Sequence, residues 1–204
     1  MPCFEHYDVI IFDCDGVILD SNNMKITAMR AALKNADYPA NLTEQAIDAF
    51  LNNFGKSRQY HCRYFVETLL GLQGKKSSDL QKLILTHYSQ AVEDEYLNVA
   101  MTNDSLALLK SLKNKSLYIA SGSEEKQLIR VFKKRTLNHY FKGIFGSPET
   151  KSNNVNTIIQ QHPGSNVLFI GDALADYNAA MDNKINFMFY SPYSNVKDKM
   201  LAMS

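Results

Sequence analysis

A chain of 204 residues suits one domain, or one core carrying a sizeable insertion. Lysine plus arginine (22) nearly balances aspartate plus glutamate (21), and the net charge of +1 excludes a global field aimed at nucleic acid or an anionic membrane. Hydrophobic residues at 45% and charged residues at 21% are ordinary for a soluble globular protein, and no apolar run approaches the roughly 20 residues of a membrane span.

The opening Met-Pro-Cys-Phe-Glu-His-Tyr-Asp is unlike a signal peptide. Three cysteines, Cys3, Cys14 and Cys62, are an odd number without Cys-x-x-Cys spacing. Neither a disulfide framework nor a zinc site is expected, and a reducing, cytoplasmic location is. Val9-Ile10-Ile11-Phe12 then reads as a buried strand. It ends in Asp13, Asp15 and Gly16. Two carboxylates at the end of a buried strand are costly unless something offsets their charge. Mg²⁺, a hard cation that takes carboxylate oxygens, is the obvious candidate. An EF-hand loop is excluded, because its glycine belongs at position 6 and Gly16 stands at position 4.

From residue 21 the pattern turns helical for about eighty residues. A helix over 21–36 enters through Ser21 or Asn22 and carries Ala28, Met29, Ala32 and Leu33 on one stripe. Thr43 caps a second helix with Ile47, Phe50 and Leu51. Gly55-Lys56-Ser57-Arg58 interrupts. A third helix carries Tyr60, Tyr64, Phe65 and Leu69, an aromatic stripe suited to a helical core, and stops at Gly71–Gly74. A fourth starts near Ser77 or Ser78 and runs through Leu80, Leu83, Ile84, His87 and Tyr88.

After residue 100 helices and strands alternate. Leu106, Leu109 and Leu112 mark a helix, and Leu117–Ala120 a short strand. Ser123 caps a helix bearing Leu128, Val131 and Phe132. Gly143–Gly146 is extended, 152–161 helical, 166–170 a strand, 174–182 a helix, and 187–190 a last strand. Strands separated by helices of this length imply right-handed crossovers and a parallel sheet. The expected fold is α/β: a Rossmann-like, doubly wound parallel sheet over 1–20 and 99–204, interrupted by a helical insertion over 21–98.

The informative polar groups stand just past apolar strands: Asp13 and Asp15, then Ser121, then Gly171-Asp172-x-x-x-Asp176. In open α/β sheets ligands bind at the carboxyl ends of the strands, where the strand order reverses. Lys151, on the loop after 143–146, reaches the same edge. Ser123 rivals Ser121, Lys142 rivals Lys151, and Asp172 serves equally as a helix cap. The five histidines complete no catalytic or metal spacing, and Gly143-Ile-Phe-Gly146 opens no dinucleotide-binding helix.

Asp-x-Asp-Gly, a serine after a strand, a lysine, and Gly-Asp-x-x-x-Asp, in that order, resemble the haloacid dehalogenase superfamily along the whole chain. The insertion is similar to that superfamily's helical (C1-type) cap. The string Asp-Gly-Val-Ile-x-Asp-Ser resembles its phosphoglycolate phosphatase and β-phosphoglucomutase-like branch. The resemblance implies a Mg²⁺-dependent phosphatase working on a small phosphorylated metabolite, such as a sugar phosphate or phosphoglycolate-like compound. It casts Asp13 as the nucleophile that becomes phosphorylated and Asp15 as the acid and base, a role that calls for a raised pKa. Ser121, the Gly122 backbone and Lys151 hold the phosphate; Asp13, Asp15 and Asp172 hold the metal, with Asp176 in support. Asp15 favours phosphate esters over dehalogenation. Sugar phosphomutases carry a histidine where this chain has Lys25, which weakens the mutase alternative; a binding protein on the same fold is the other alternative. Lys25, Lys56 and Arg58 are the cap's candidate specificity residues, a basic inter-helix turn being the plain reading of the last two.

Overall fold

The computed structural model describes residues 4–93 and 95–202; Cys3 lies outside the described residues. Its centre is β1 (Val9–Phe12), whose four β-branched or aromatic residues are all buried. β2 (Ser116–Glu124), β3 (Gly143–Ser147), β4 (Val167–Gly171) and β5 (Asn186–Phe189) join it in one parallel sheet of order β3-β2-β1-β4-β5. The order reverses between β1 and β4, so a crevice opens beyond their carboxyl ends.

Because side chains alternate along a strand, β1 feeds two cores at once. Ile10 and Phe12 join Leu117, Ile119, Leu168 and Ile170 on one face, under α6 (Ser105–Ser111) and α7 (Glu125–Lys134). Val9 and Ile11 join Tyr118, Ala120 and Phe169 on the other, under α8 (Lys151–Gln160) and α9 (Leu174–Asp182). A short α10 (Lys197–Leu201) follows β5. Each fully buried large apolar side chain contributes about 1.5–3 kcal/mol, which is what holds the sheet rigid behind the polar strand ends.

Between β1 and α6 run α1 (Asn22–Asn35), α2 (Ala40–Asn52), α3 (Arg58–Arg63), α4 (Gly74–Glu93) and α5 (Glu95–Asn98). Ala28, Met29, Ala32 and Leu33 of α1 pack with Ile47, Phe50, Phe65, Ile84 and Tyr88 in a third apolar cluster, which takes one residue, Ala173, from the sheet edge. Among the described residues no helix is long and apolar enough to cross a membrane.

Several boundaries differ from the sequence expectation, each for a local reason. α2 begins at Ala40, after Pro39, whose fixed φ suits a helix start; the Thr43 hydroxyl donates back to the Pro39 carbonyl at 3.2 Å from inside the helix. α3 does not run on as α-helix but loosens into a π-helical turn over Tyr64–Leu69. α4 starts at Gly74, ahead of Ser77. β2 continues past Ala120 through Ser121, Gly122 and Ser123, and α7 starts without a side-chain cap. Ser123 does not cap α7, because its hydroxyl is bonded elsewhere, as the site shows.

Candidate active site

Asp13 follows β1 and Asp172 follows β4, which places both at the reversal of strand order; each is 2% exposed. Lys151 opens α8, where Thr150 caps the helix by accepting from Asn153 N–H at 3.2 Å. From there its ammonium lies 3.0 Å from Asp13 Oδ1 and pairs with Asp176 Oδ1 on α9. The other oxygen of Asp176 accepts the backbone N–H groups of Asp172 (3.1 Å) and Ala173 (2.9 Å). Asp176 thereby fixes both the turn after β4 and the lysine.

Asp13, Asp172 and Asp176 offer carboxylate oxygens that all lie within 4.8 Å of one another. Asp172 Oδ1 is buried without a hydrogen-bond partner among the described residues, and Asp13 Oδ1 has only the Lys151 ion pair. Three buried carboxylates face one ammonium, an excess of negative charge that the protein itself leaves unbalanced. Burial, then Asp176 and Asp15, push the Asp13 carboxyl up to about 7 against the opposing pull of Lys151. Burial, then Asp13 and Asp176, push Asp172 up well above the ordinary carboxylate range. Lys151 moves the other way: burial opposes its charge, yet Asp13 and Asp176 hold it above the usual lysine range. A hard divalent cation fits this donor set. The Gly16 turn lets the Asp172 carboxylate approach: at φ +75° any Cβ would be strained, and it would come within 2.2 Å of Asp172 Oδ2.

Two residues along, Asp15 has a different setting. Its Oδ2 pairs with Lys25 Nζ and accepts from Ser123 Oγ at 2.9 Å. Its Oδ1 accepts from Ser21 Oγ (2.5 Å) and Tyr96 Oη (2.7 Å). Burial would raise its pKa, but Lys25's charge and these hydrogen bonds prevail and hold it below the ordinary value. The raised pKa expected from the acid role therefore falls on Asp13, while Asp15 rests as a fully paired carboxylate. Nor is Asp15 in the close carboxylate group around Asp172, since both its oxygens are directed to other partners.

Both serines after the β2 core sit in the crevice. Ser121 Oγ accepts the Ser123 N–H at 3.2 Å, which leaves its own proton to donate. Ser123 Oγ is bound between Lys25 and Asp15. At Gly122 a Cβ would come within 2.2 Å of the Gly55 carbonyl, so the loop before α3 rests directly on β2. Lys25 and Arg58 are buried, whereas Lys56 is exposed with its ammonium 4.1 Å from the Tyr60 ring centroid. Arg58 bridges Ser89 (2.9 Å) on α4 and Gln127 (2.5 Å) on α7.

Sequence reasoning missed Asn22, Ser21 and Tyr96. Asn22 Nδ2 donates to Asp172 Oδ2 at 2.9 Å and to the Tyr193 carbonyl at 3.0 Å. Ser21 stands at the cap of α1 but its hydroxyl goes to Asp15, not to the helix. The available signal was their place straight after the first motif; a cap and a site residue look alike there.

A family model described as haloacid dehalogenase-like hydrolase matches residues 10–190. Among solved structures, a predicted phosphatase from Clostridium acetobutylicum superposes with a TM-score of 0.74 at 17% identity, over 97% of this chain and 90% of that one. A predicted phosphoglycolate phosphatase from Haemophilus somnus gives 0.70 at 16%, over 90% and 85%. A haloacid dehalogenase-like hydrolase from Bacillus subtilis, solved with magnesium bound, gives 0.63 at 19%, over 90% and 88%. No curated protein matches the chain.

Proposed function

The chain belongs to the haloacid dehalogenase-like hydrolase family, and from that premise we propose that it is a Mg²⁺-dependent phosphomonoesterase for a small phosphorylated metabolite, working through a phosphorylated Asp13. The observation that carries this reading is Asp13 at the end of β1 with Lys151 3.0 Å away and Asp172 beside it. Mg²⁺, held by Asp13 and Asp172 with Asp176 in support, would supply positive charge against a phosphate dianion.

Each residue then has a task. An Asp13 oxygen attacks phosphorus, and the bond from phosphorus to the leaving oxygen breaks. Lys151 offsets negative charge on the transferring group, while the free Ser121 proton and the Gly122 N–H hold its oxygens. Because Asp15 rests as the carboxylate, with Lys25 Nζ and Ser123 Oγ hydrogen-bonded to it, the proton for the departing alkoxide comes in on the substrate as a phosphate monoanion, and Asp15 takes it and passes it to the leaving oxygen. Asp15 next takes a proton from the water that splits the aspartyl-phosphate. That second step suits the paired carboxylate the structure displays. Asp176 positions Lys151 and the turn of Asp172.

Residues 1–20 and 99–204 would form the catalytic core and 21–98 a helical cap of the C1 type. The separate apolar cluster of α1–α4 and the seating of Gly55 on Gly122 support that division. Lys25 at the mutase histidine position favours hydrolysis over phosphoryl return.

Purified protein should release phosphate from p-nitrophenyl phosphate and from members of a phosphometabolite panel with Mg²⁺, and stop on addition of EDTA. Asp13→Asn should remove the activity by about 10⁴-fold or more. Turnover without metal, or full activity in Asp13→Asn, would overturn the reading. Isomerised sugar phosphate with little phosphate release would point to a mutase.

A further inference from the structure

Asp172, the carboxylate after β4, is held from three directions. Its backbone N–H donates to Asp176 Oδ2 at 3.1 Å, and its carbonyl accepts from Ser194 Oγ at 2.5 Å, on the loop after β5. Its Oδ2 accepts from Asn22 Nδ2 at 2.9 Å. The oxygen left over, Oδ1, is buried without a hydrogen-bond partner among the described residues. On the metal-dependent reading above, we infer that Asn22 is a positioning residue for the cation. It occupies Asp172 Oδ2, so that Oδ1 is the oxygen left for Mg²⁺, and it makes the affinity for the metal depend on how the helical insertion is seated.

The place of Asn22 is the first reason. It is the first residue of α1, 150 positions from Asp172 in the chain, and it is 3% exposed. Its Nδ2 donates a second time, to the Tyr193 carbonyl at 3.0 Å. One buried amide thereby joins the insertion, the turn after β4 and the loop after β5. Both partners are acceptors, a carboxylate and a carbonyl, so the amide has one permitted orientation; reversed, it would set oxygen against oxygen. Partners of this kind, which do not touch the metal, fix the angle at which a ligand meets it.

Gly16 is the second. A Cβ there would lie 2.2 Å from Asp172 Oδ2 and 2.5 Å from Asn22 Nδ2. The hydrogen bond between those two atoms therefore runs over the space that the glycine leaves free, and a side chain at position 16 would part them.

The third is an unused acceptor. Asn22 Oδ1 is buried without a partner among the described residues, which is unfavourable unless a donor arrives with a ligand. Mg²⁺ bound by one or two carboxylates keeps several waters, and their O–H groups are donors of that kind. Helix capping does not account for the residue, since α1 starts without a side-chain cap bond.

The test titrates Mg²⁺ alone, without substrate, into EDTA-stripped protein by calorimetry, with the rise of the thermal unfolding midpoint as a second reading of the same affinity. Asn22→Leu is close in volume and removes both donors and the acceptor; it should raise the Mg²⁺ Kd by about 10- to 100-fold. Because this change also strips the Tyr193 carbonyl of its donor, Asn22→Ala, which leaves room for a water to serve it, is titrated beside it, and its Kd should rise by at least about threefold. Asn23→Ala, at the exposed next position of α1, should leave the Kd as it is. An unfolding midpoint lowered in EDTA with Kd unchanged in both Asn22 variants overturns this inference, while Mg²⁺ binding by the wild type leaves the metal-dependent reading standing. An equal rise in Asn23→Ala overturns it as well, since the effect then belongs to the start of α1 as a whole. Wild-type protein that binds no Mg²⁺ brings down the metal-dependent reading and this inference together.

Discussion

Asp13 and Asp15 are two residues apart on one strand end, equally buried in practice, and yet electrostatically opposite. Around Asp13 the neighbours are carboxylates, with Lys151 shared between Asp13 and Asp176. Around Asp15 they are donors: an ammonium, two serine hydroxyls and a tyrosine. Burial raises the pKa of both, and the partners decide the outcome, upward for Asp13 and downward for Asp15. Burial alone therefore does not set the state of a carboxylate. One nest is short of positive charge and suits a cation; the other is complete as it stands.

The sharpest way to break this contrast is Asp15→Asn. Loss of the group proposed to move protons should lower kcat by about 10²- to 10⁴-fold, read as phosphate release under saturating substrate. It also leaves Lys25 buried and unpaired, so the double variant Asp15→Asn/Lys25→Met should regain stability relative to Asp15→Asn in denaturant titration. A double variant no more stable than the single would show that the pair is not the main partner of either side chain.

Lys151→Met tests the other nest. Removing the one ammonium among three buried carboxylates should cost about 3–5 kcal/mol of folding stability in EDTA, with the midpoint of urea unfolding as the readout. Added Mg²⁺ should recover part of that loss, since a cation bound by the folded state stabilises it. An unchanged midpoint would deny Lys151 its place in the charge balance.

The effect smallest at any one step of pH separates the two carboxylates by titration. For Asp13 the folded pKa of about 7 stands above the unfolded value, so between about pH 4 and 7 the folded state binds more protons. In EDTA-treated protein its contribution should make stability fall as pH rises through that window, by up to about 1.4 kcal/mol per unit. Asp15, with its pKa lowered, contributes stability present above the unfolded value of about 4 and lost as pH falls below it. Asp13→Asn should flatten the fall between pH 4 and 7 in equilibrium unfolding curves, while leaving the acid limb in place. A fall of the same slope in Asp13→Asn would place its origin elsewhere.

The parallel sheet and the residues at its edge were legible in the chain because they obey short-range rules. Four apolar residues followed by Asp-x-Asp-Gly, and four followed by Gly-Asp, each say strand, end and turn within a dozen positions. The helical stretch after Leu19 declared itself by period. Helix starts were less legible: Thr43 and Ser123 have the chemistry of caps, but one donates back inside α2 and the other is engaged by Asp15 and Lys25. A hydroxyl next to a helix reads the same whether it caps or serves a site.

By itself, then, the sequence determined the class of fold, the order of the polar motifs and the strand ends that carry them, since an apolar run and its terminal turn are encoded by adjacent residues. The tertiary structure decided which carboxylate is paired and which is not. Lys25 reaches Asp15, and Asn22 reaches Asp172 across 150 positions, through the packing of α1 against the sheet edge. It also decided the size and charge of the space beside Asp15, walled by Phe50, Arg58 and Tyr88 from three helices. No local pattern encodes those meetings, because a pKa or a cavity depends on what is buried together, and burial is settled only when the helices close on the sheet.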